Sequence, residues 1–273
     1  QTGGHGDVRR RTVTGPPVDA CVGMAGSVAD GPDEIRRAVR EELRRGAAQI
    51  KIMASGGAMS PTDELDTTQL TVPEIRAAVE EARAAGTYVC AHAYSGAAVR
   101  NAVDGGVRSI EHGNLMDEAA ASALKAADAF LVPTMVTYEI LAREGARYGI
   151  PEANLAKIRL ARETSVASLA LAHRLGLRIA SGSDLLGPMH VHKAMELELK
   201  AQVLSPMEVL QSATRVNAEL FGLADRIGTL EPGKDADLLV VRGDPLRDLR
   251  LFQSPENLLL VMKGGAIVKS SID

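Results

Sequence analysis

The chain has no tryptophan, three phenylalanines and four tyrosines in 273 residues. So small an aromatic supply leaves few platforms on which bases could stack. The charge does not favour nucleic acid either, since the formal net charge is −4 and Lys and Arg are dispersed along the chain rather than gathered on a basic face. No apolar run approaches the roughly 18–20 residues needed to cross a bilayer. Neither nucleic acid nor a membrane is therefore expected as a partner. Cys21 and Cys90 are the only cysteines, far apart and in no ligand spacing, which excludes a disulfide framework and a thiolate zinc site. Cys90 reads as a small buried hydrophobe. An initiating methionine is also missing: "QTGGHGD", from Gln1, reads as the middle of a loop. The expectation is a chain that starts inside a longer protein, with the cytoplasm as its compartment and secretion left open because a signal peptide is judged only at a native start.

What is present is a globular composition, 45% hydrophobic and 24% charged, enough for one large core or for one large and one small. Helical and β-rich stretches alternate from about residue 33. "PDEIRRAVREELRRGA" predicts a helix capped by Asp33 and ended by Gly46, and "QIKIMASGG" a strand that breaks into a Gly-rich loop. "TVPEIRAAVEEARAAG", with Thr71 as cap and Pro73 in its first turn, leads into the strand "YVCAHA". "SGAAVRNAVDGG" leads into "SIEHG", and "DEAAASALKAAD" into "AFLVPT". A longer helix over about 154–175 precedes "RIASGSD", and "SPMEVLQSATRVNAELFG" is read as one final helix. This order predicts right-handed crossovers and a parallel sheet of five strand units, three short of an eight-stranded barrel. After Gly222, "GTLEPGKDADLLVVRGDPL" and "ENLLLVMKGGAIVKS" are strands without crossover helices, too few to stand alone.

In an α/β barrel the groups that do chemistry project from the C-terminal ends of strands. Alternation puts Lys51 opposite Ile50 and Ile52, and puts His92 on the face of Tyr88 and Cys90. His112 ends "SIEH" and Asp184 ends "RIASGSD", so four polar groups at four strand ends are expected to converge. Two neutral imidazoles and a carboxylate suit zinc or a similar ion, whereas an ammonium has no acceptor to offer. Each position also has a plain structural reading: a hydrogen-bonded strand-end histidine, a capping aspartate, a lysine that reaches past the strand end to solvent.

Taken in order, "TGGHGD", "IKIMASGG", "AHAYSGAAVRNAVDGGVRSIEHG", "LVPT", "IASGSD" and "GTLEPGKDADLLVV" resemble the amidohydrolase superfamily. The likeness is to its branch of Xaa-Pro dipeptidases and N-acyl amino acid hydrolases, and to imidazolonepropionase-like proteins. The resemblance implies a (β/α)8 TIM barrel of which strands four to eight lie here over residues 1–222. Residues 223–273 would be part of a small β-sandwich. It further implies that Lys51 takes up carbon dioxide as a carbamate and bridges two divalent ions, expected to be zinc. His92 and His112 would bind one ion, and Asp184 would bind the other and handle protons. The second ion would also need a His-x-His from the first barrel strand. The only literal match is His190-Val191-His192, which opens a helix after a Gly-Pro turn and is wrongly placed. His190 instead resembles a loop histidine after the eighth strand, and His192 a surface residue.

The missing strands and that His-x-His are expected in the N-terminal portion of the same protein, and a homo-oligomer is left open. The implied activity is hydrolysis of a small-molecule amide, an Xaa-Pro dipeptide or an N-acyl amino acid. Tyr94 on the rim, His5 in its Gly-rich loop, His190 and Tyr138 are the candidates for touching substrate. Tyr94 also has a plain structural reading, packing on the following helix, and His173 reads as a helix C-terminal residue. Two rivals are carried: a single-metal deaminase or cyclic-amide hydrolase on the same barrel, and a non-catalytic fragment or subunit without a complete metal site.

Overall fold

The structure is a computed structural model that describes residues 1–7, 26–60 and 63–272; Cys21 lies outside them. The five strand units are β1 (Ile50–Met53), β2 (Val89–Ser95), β3 (Ser109–Leu115), β4 (Phe130–Val132) and β5 (Arg178–Ile179). All pair in parallel and in sequence order. The helices between them are α1 (Gly31–Arg44), which precedes β1, then α2 (Val72–Ala84), α3 (Gly96–Gly105), α4 (Glu118–Ala126), α5 (Met135–Glu144) and α6 (Glu152–Arg174). α7 (Met195–Lys200), α8 (Pro206–Ala213) and α9 (Arg215–Phe221) follow β5.

Helix ends follow local chemistry. Thr71 and Ser205 build capping boxes with Glu74 and Glu208, in which each side chain satisfies an amide the helix leaves open. Two expectations need correction here. α1 begins at Gly31 with Asp30, not Asp33, at the capping position; Asp33 falls in the first turn beside Pro32, whose fixed φ suits that place. The final helix is two helices, because the backbone breaks at Thr214 (φ −119°, ψ −87°).

One face of the parallel sheet is apolar. Ile50, Ile52, Val89, Ala91, Ile110 and Leu131 pack against Ile75, Val79, Ala82, Val99, Ala102, Leu124 and Leu169 of the flanking helices. Small side chains on α2 and α3 let those helices approach closely. The other face carries the polar residues, among them Lys51, which is exposed between buried Ile50 and Ile52. Cys90 is on that face too and is only half-buried; its Sγ–H contacts Ile50 O at 3.5 Å, and burial pushes the thiol up to about 12.

The remaining strands, β6 (Leu238–Val241), β7 (Leu258–Lys263) and β8 (Ala266–Ser270), form a separate antiparallel sheet. Much of its apolar surface is open, with Leu239, Ile267 and Val268 all more than half exposed.

Candidate active site

The site starts from the loop after β1. Ser55 Oγ accepts from Tyr94 N at 3.1 Å and donates to Gly56 O. Gly56 O in turn lies 3.0 Å from His92 Nε2, which places the hydrogen on that nitrogen because a carbonyl only accepts. At Gly57 a Cβ would stand 1.9 Å from His5 Nδ1. Only glycine therefore admits the His5 ring, which stacks on His92 with centroids 4.4 Å apart.

His112 reaches the same place by a break in the strand. The β2–β3 register pairs His92 with Glu111 and Ala93 with His112, so strict alternation would send His112 to the opposite face from His92. His112 instead has φ 79° and Gly113 φ 65°, and its ring meets His92 with centroids 4.7 Å apart. A left-handed conformation is uncommon for a side-chain-bearing residue, although histidine is among those enriched there. Thr134 (φ 49°) and Asp184 (φ 51°), just beyond β4 and β5, are left-handed too. Such backbone strain, about 1–3 kcal/mol each, persists where the surroundings over-determine it and clusters at functional sites.

Tyr94 stacks on His112 at 5.3 Å and meets His92 edge-on at 4.8 Å. Its hydroxyl lies 2.7 Å from that of Tyr138. Tyr94 is therefore not on the rim: both tyrosines are buried, because α5 carries Tyr138 over it. Burial holds His92 and His112 well below the usual imidazole range and raises both phenols. His5 is half-buried and also lowered, chiefly by burial, with Asp63 opposing.

The Lys51 ammonium, on the same sheet face, acts electrostatically on His5, His92, His112, Glu111 and Asp184. Asp184 stands five residues beyond the short β5 and is exposed. The protein around it raises its carboxyl, and Lys51 opposes that rise. Glu111 was missed by the sequence reading. Burial raises its carboxyl, against Lys51 and a 2.6 Å hydrogen bond from Ser109 Oγ. Its signal was the alternation of "SIEH", once Cys90 is aligned with Ser109. His190 is exposed on a 3-10 turn, and His192 lies 3.7 Å from Glu144 beside it. No contact joins either of them to the histidine cluster. His173 is in the last turn of α6, paired with Glu208 at 3.0 Å.

The loop that carries Gly57 is held from α6. Lys157 Nζ donates to the carbonyls of Gly57, Ser60 and Asp63 at 3.2, 2.6 and 2.8 Å, and Asn154 Nδ2 to those of Ala58 and Ser60. Asp63 accepts from Gly57 N and Gln69 Nε2, and Gln69 accepts from His5 N. Lys157→Met keeps the length of the side chain and removes all three donors. It is expected to cost about 1–3 kcal/mol in chemical denaturation and to speed amide exchange at residues 56–60. Unchanged exchange there would count against this anchoring.

Among the described residues, no group of three or more His, Cys, Asp or Glu side chains is arranged to hold an ion. The donor chemistry nevertheless fits one in part. Two buried neutral imidazoles, each with one ring nitrogen tied to an oxygen and the other free, are in the form in which histidine ligates a divalent cation. Lys51 joins them as a ligand only if its ammonium is converted to an anion.

The amidohydrolase family model matches residues 11–268. The chain belongs to the amidohydrolase family. Within it, the chain is 33% identical over 290 residues to ochratoxinase of Aspergillus niger, covering 98% of this chain and 58% of that protein. The chain thus spans less than two thirds of the length of that curated relative. A prolidase solved in complex with N-methylphosphonate-L-proline is 45% identical, with TM-score 0.95 over 99% of this chain and 67% of that one. An Xaa-Pro dipeptidase with methionine in its active site is 29% identical, with TM-score 0.87 over 98% and 66%. The amidohydrolase fold of these relatives agrees with the five-stranded parallel sheet seen here.

Proposed function

We propose that the protein is a metal-dependent hydrolase that cleaves the amide bond of an Xaa-Pro dipeptide or an N-acyl amino acid. The observation that carries this reading is the contact of two neutral buried imidazoles, His92 and His112, on the sheet face that bears Lys51. The prolidase, Xaa-Pro dipeptidase and ochratoxinase likenesses support the bond class.

In this reading the five parallel strands are strands four to eight of a (β/α)8 barrel within residues 1–222, and residues 223–273 belong to a β-sandwich. The other strands, with a His-x-His, are supplied by the remainder of the protein, consistent with the 67% coverage of the solved prolidase. Lys51 Nζ, once deprotonated, would add to carbon dioxide and release a second proton to solvent to form a carbamate, which places oxygen donors where the ammonium stood. His92, through Nδ1, His112, through Nε2, the carbamate and Asp184 would hold two divalent ions, expected to be zinc. Such ions lower the pKa of bound water and polarise the scissile carbonyl. Asp184 takes the proton of the attacking water and returns it to the leaving amine, a transfer typically worth about 10²–10⁴ in rate. Tyr94 donates to the carbonyl oxygen, and His5 lines the approach above His92.

The test is metal analysis of the full-length protein together with a panel of Xaa-Pro dipeptides and N-acyl amino acids. Two equivalents of metal and turnover of a member of either class are expected. One equivalent would favour the single-metal alternative, and no metal with no turnover would remove the proposal.

A further inference from the structure

β2 and β3 do not keep step. Ala93 pairs with His112 and Ser95 with Leu115, so β3 takes three steps where β2 takes two. The extra residue is a β-bulge, rare between parallel strands and found beside active sites, where it re-aims a side chain. It falls at the left-handed pair His112 and Gly113 (φ 79° and 65°), and it brings the His112 ring onto the face of His92. A bulge leaves polar backbone groups outside the ladder. Residues 112–114 are buried, so those groups need partners from elsewhere in the protein.

α6 supplies them. Gly113 O accepts from Met116 N at 3.0 Å, which closes the turn locally, and from Ser168 Oγ at 2.6 Å. Asn114 Nδ2 donates to Ala161 O at 2.7 Å. Ala161 and Ser168 are two turns apart on α6, so both meet the bulge from one face of the helix. The Met116 bond belongs to the turn itself, whereas the two bonds with α6 fix where the turn sits. Asn114 also keeps its Oδ1 buried without a hydrogen-bond partner among the described residues, a cost that an apolar side chain would avoid. What the asparagine adds over a leucine is its donation to Ala161 O. Ser165 makes the comparison on the same helix: it is as little exposed as Ser168, 7% each, but its hydroxyl turns back to Arg162 O at 2.7 Å.

We propose that Ser168 and Asn114 are positioning residues, a clamp that fastens the β3 bulge to α6 and so holds His112 against His92 from outside the site. The inference rests on the reading of the two histidines as metal ligands. Without the clamp, β3 can relax towards strict alternation, in which residue 112 faces the helices.

The test uses the full-length protein, first metal-free, with protonated histidine in a deuterated background. A cross-peak between the ring protons of His92 and His112 is expected in the wild type. It should be lost in Ser168→Ala and in Asn114→Leu, and persist in Ser165→Ala, which removes an equally buried hydroxyl bonded within α6. Zinc affinity, titrated on the same proteins, should fall about 10- to 100-fold in the first two and stay within about threefold in the third. A cross-peak and zinc affinity unchanged in both Ser168→Ala and Asn114→Leu would overturn the clamp. So would an equal loss in Ser165→Ala, which is the pattern of a helix that merely needs its buried hydroxyls. A wild-type protein that shows the cross-peak, loses it in Ser168→Ala but not in Ser165→Ala, and takes up no zinc would uphold the clamp and remove the metal reading instead.

Discussion

Lys51→Ala is expected to lower turnover by on the order of 10³-fold and to reduce bound metal from two equivalents to one or none, because losing a ligand costs more than the roughly 10- to 100-fold penalty of losing a residue that only orients one. The side chain is exposed, so with both proteins stripped of metal, which would otherwise stabilise the wild type, truncation should leave the melting temperature nearly unchanged, and the loss can be assigned to chemistry rather than unfolding. Two controls separate the carbamate from a simple cation. Lys51→Arg keeps the charge but cannot form the carbamate, and should be as inactive as alanine. Formate or acetate, which offers the missing carboxylate oxygens, should restore part of the activity and metal content of Lys51→Ala. An arginine variant with wild-type activity would mean that the position works through its positive charge. Full retention of two metals and activity in the alanine variant would sink the binuclear reading.

The second large effect is expected on stability. Glu196 and Lys200, one turn apart on α7, are both buried. Lys200 Nζ donates to Ala180 O at 3.2 Å and to Ser212 Oγ, and Glu196 Oε2 accepts from Val136 N in the first turn of α5 at 2.8 Å. Glu196→Ala removes a carboxylate whose charge favours the buried Lys200 ammonium and leaves the Val136 amide without its acceptor, and should cost about 1–3 kcal/mol at neutral pH.

Burial raises the Glu196 carboxyl to about 7 and lowers the Lys200 ammonium to about 8. A raised carboxyl holds its proton more tightly folded than unfolded, so the Glu196 contribution is most favourable below about 4.5 and declines as pH rises through about 7. A lowered ammonium does the reverse, and the Lys200 contribution declines as pH falls from about 10.5 through about 8. In Glu196→Ala only the lysine remains to titrate. Its loss should therefore shrink towards pH 10, by up to about 1.4 kcal/mol per unit. Urea denaturation at several pH values reads this directly, and a loss equal at pH 7 and pH 10 would show that Lys200 is not the source.

The parallel order of the sheet and the place of Lys51 and His92 were legible because both follow from alternation, in which hydrophobic residues face the helices. His112 was located by its position near a strand end, but its face was not legible. Alternation counts it away from His92, and only the left-handed backbone at His112 and Gly113 turns it back. β3 also runs on to Leu115, past the histidine expected to end it. Tyr94 was placed on the rim because it follows His92 by two residues, and nothing near it in sequence announces that α5 covers it. The burial of Tyr94 is set by Tyr138, 44 residues away in sequence. Glu196 belongs to the same class: an acidic residue on a short helix, whose capping of α5 appears only when the two helices are packed together.

The fit of His5 over Gly57 also ties the natural variation of the two positions. A side chain at 57 is tolerated only where position 5 has given up its imidazole for something smaller, so the two should change together between related sequences. A lineage that enlarges residue 57 would thereby trade an aromatic lid over His92 for an open one, altering which substrates are admitted without touching any group that does the chemistry.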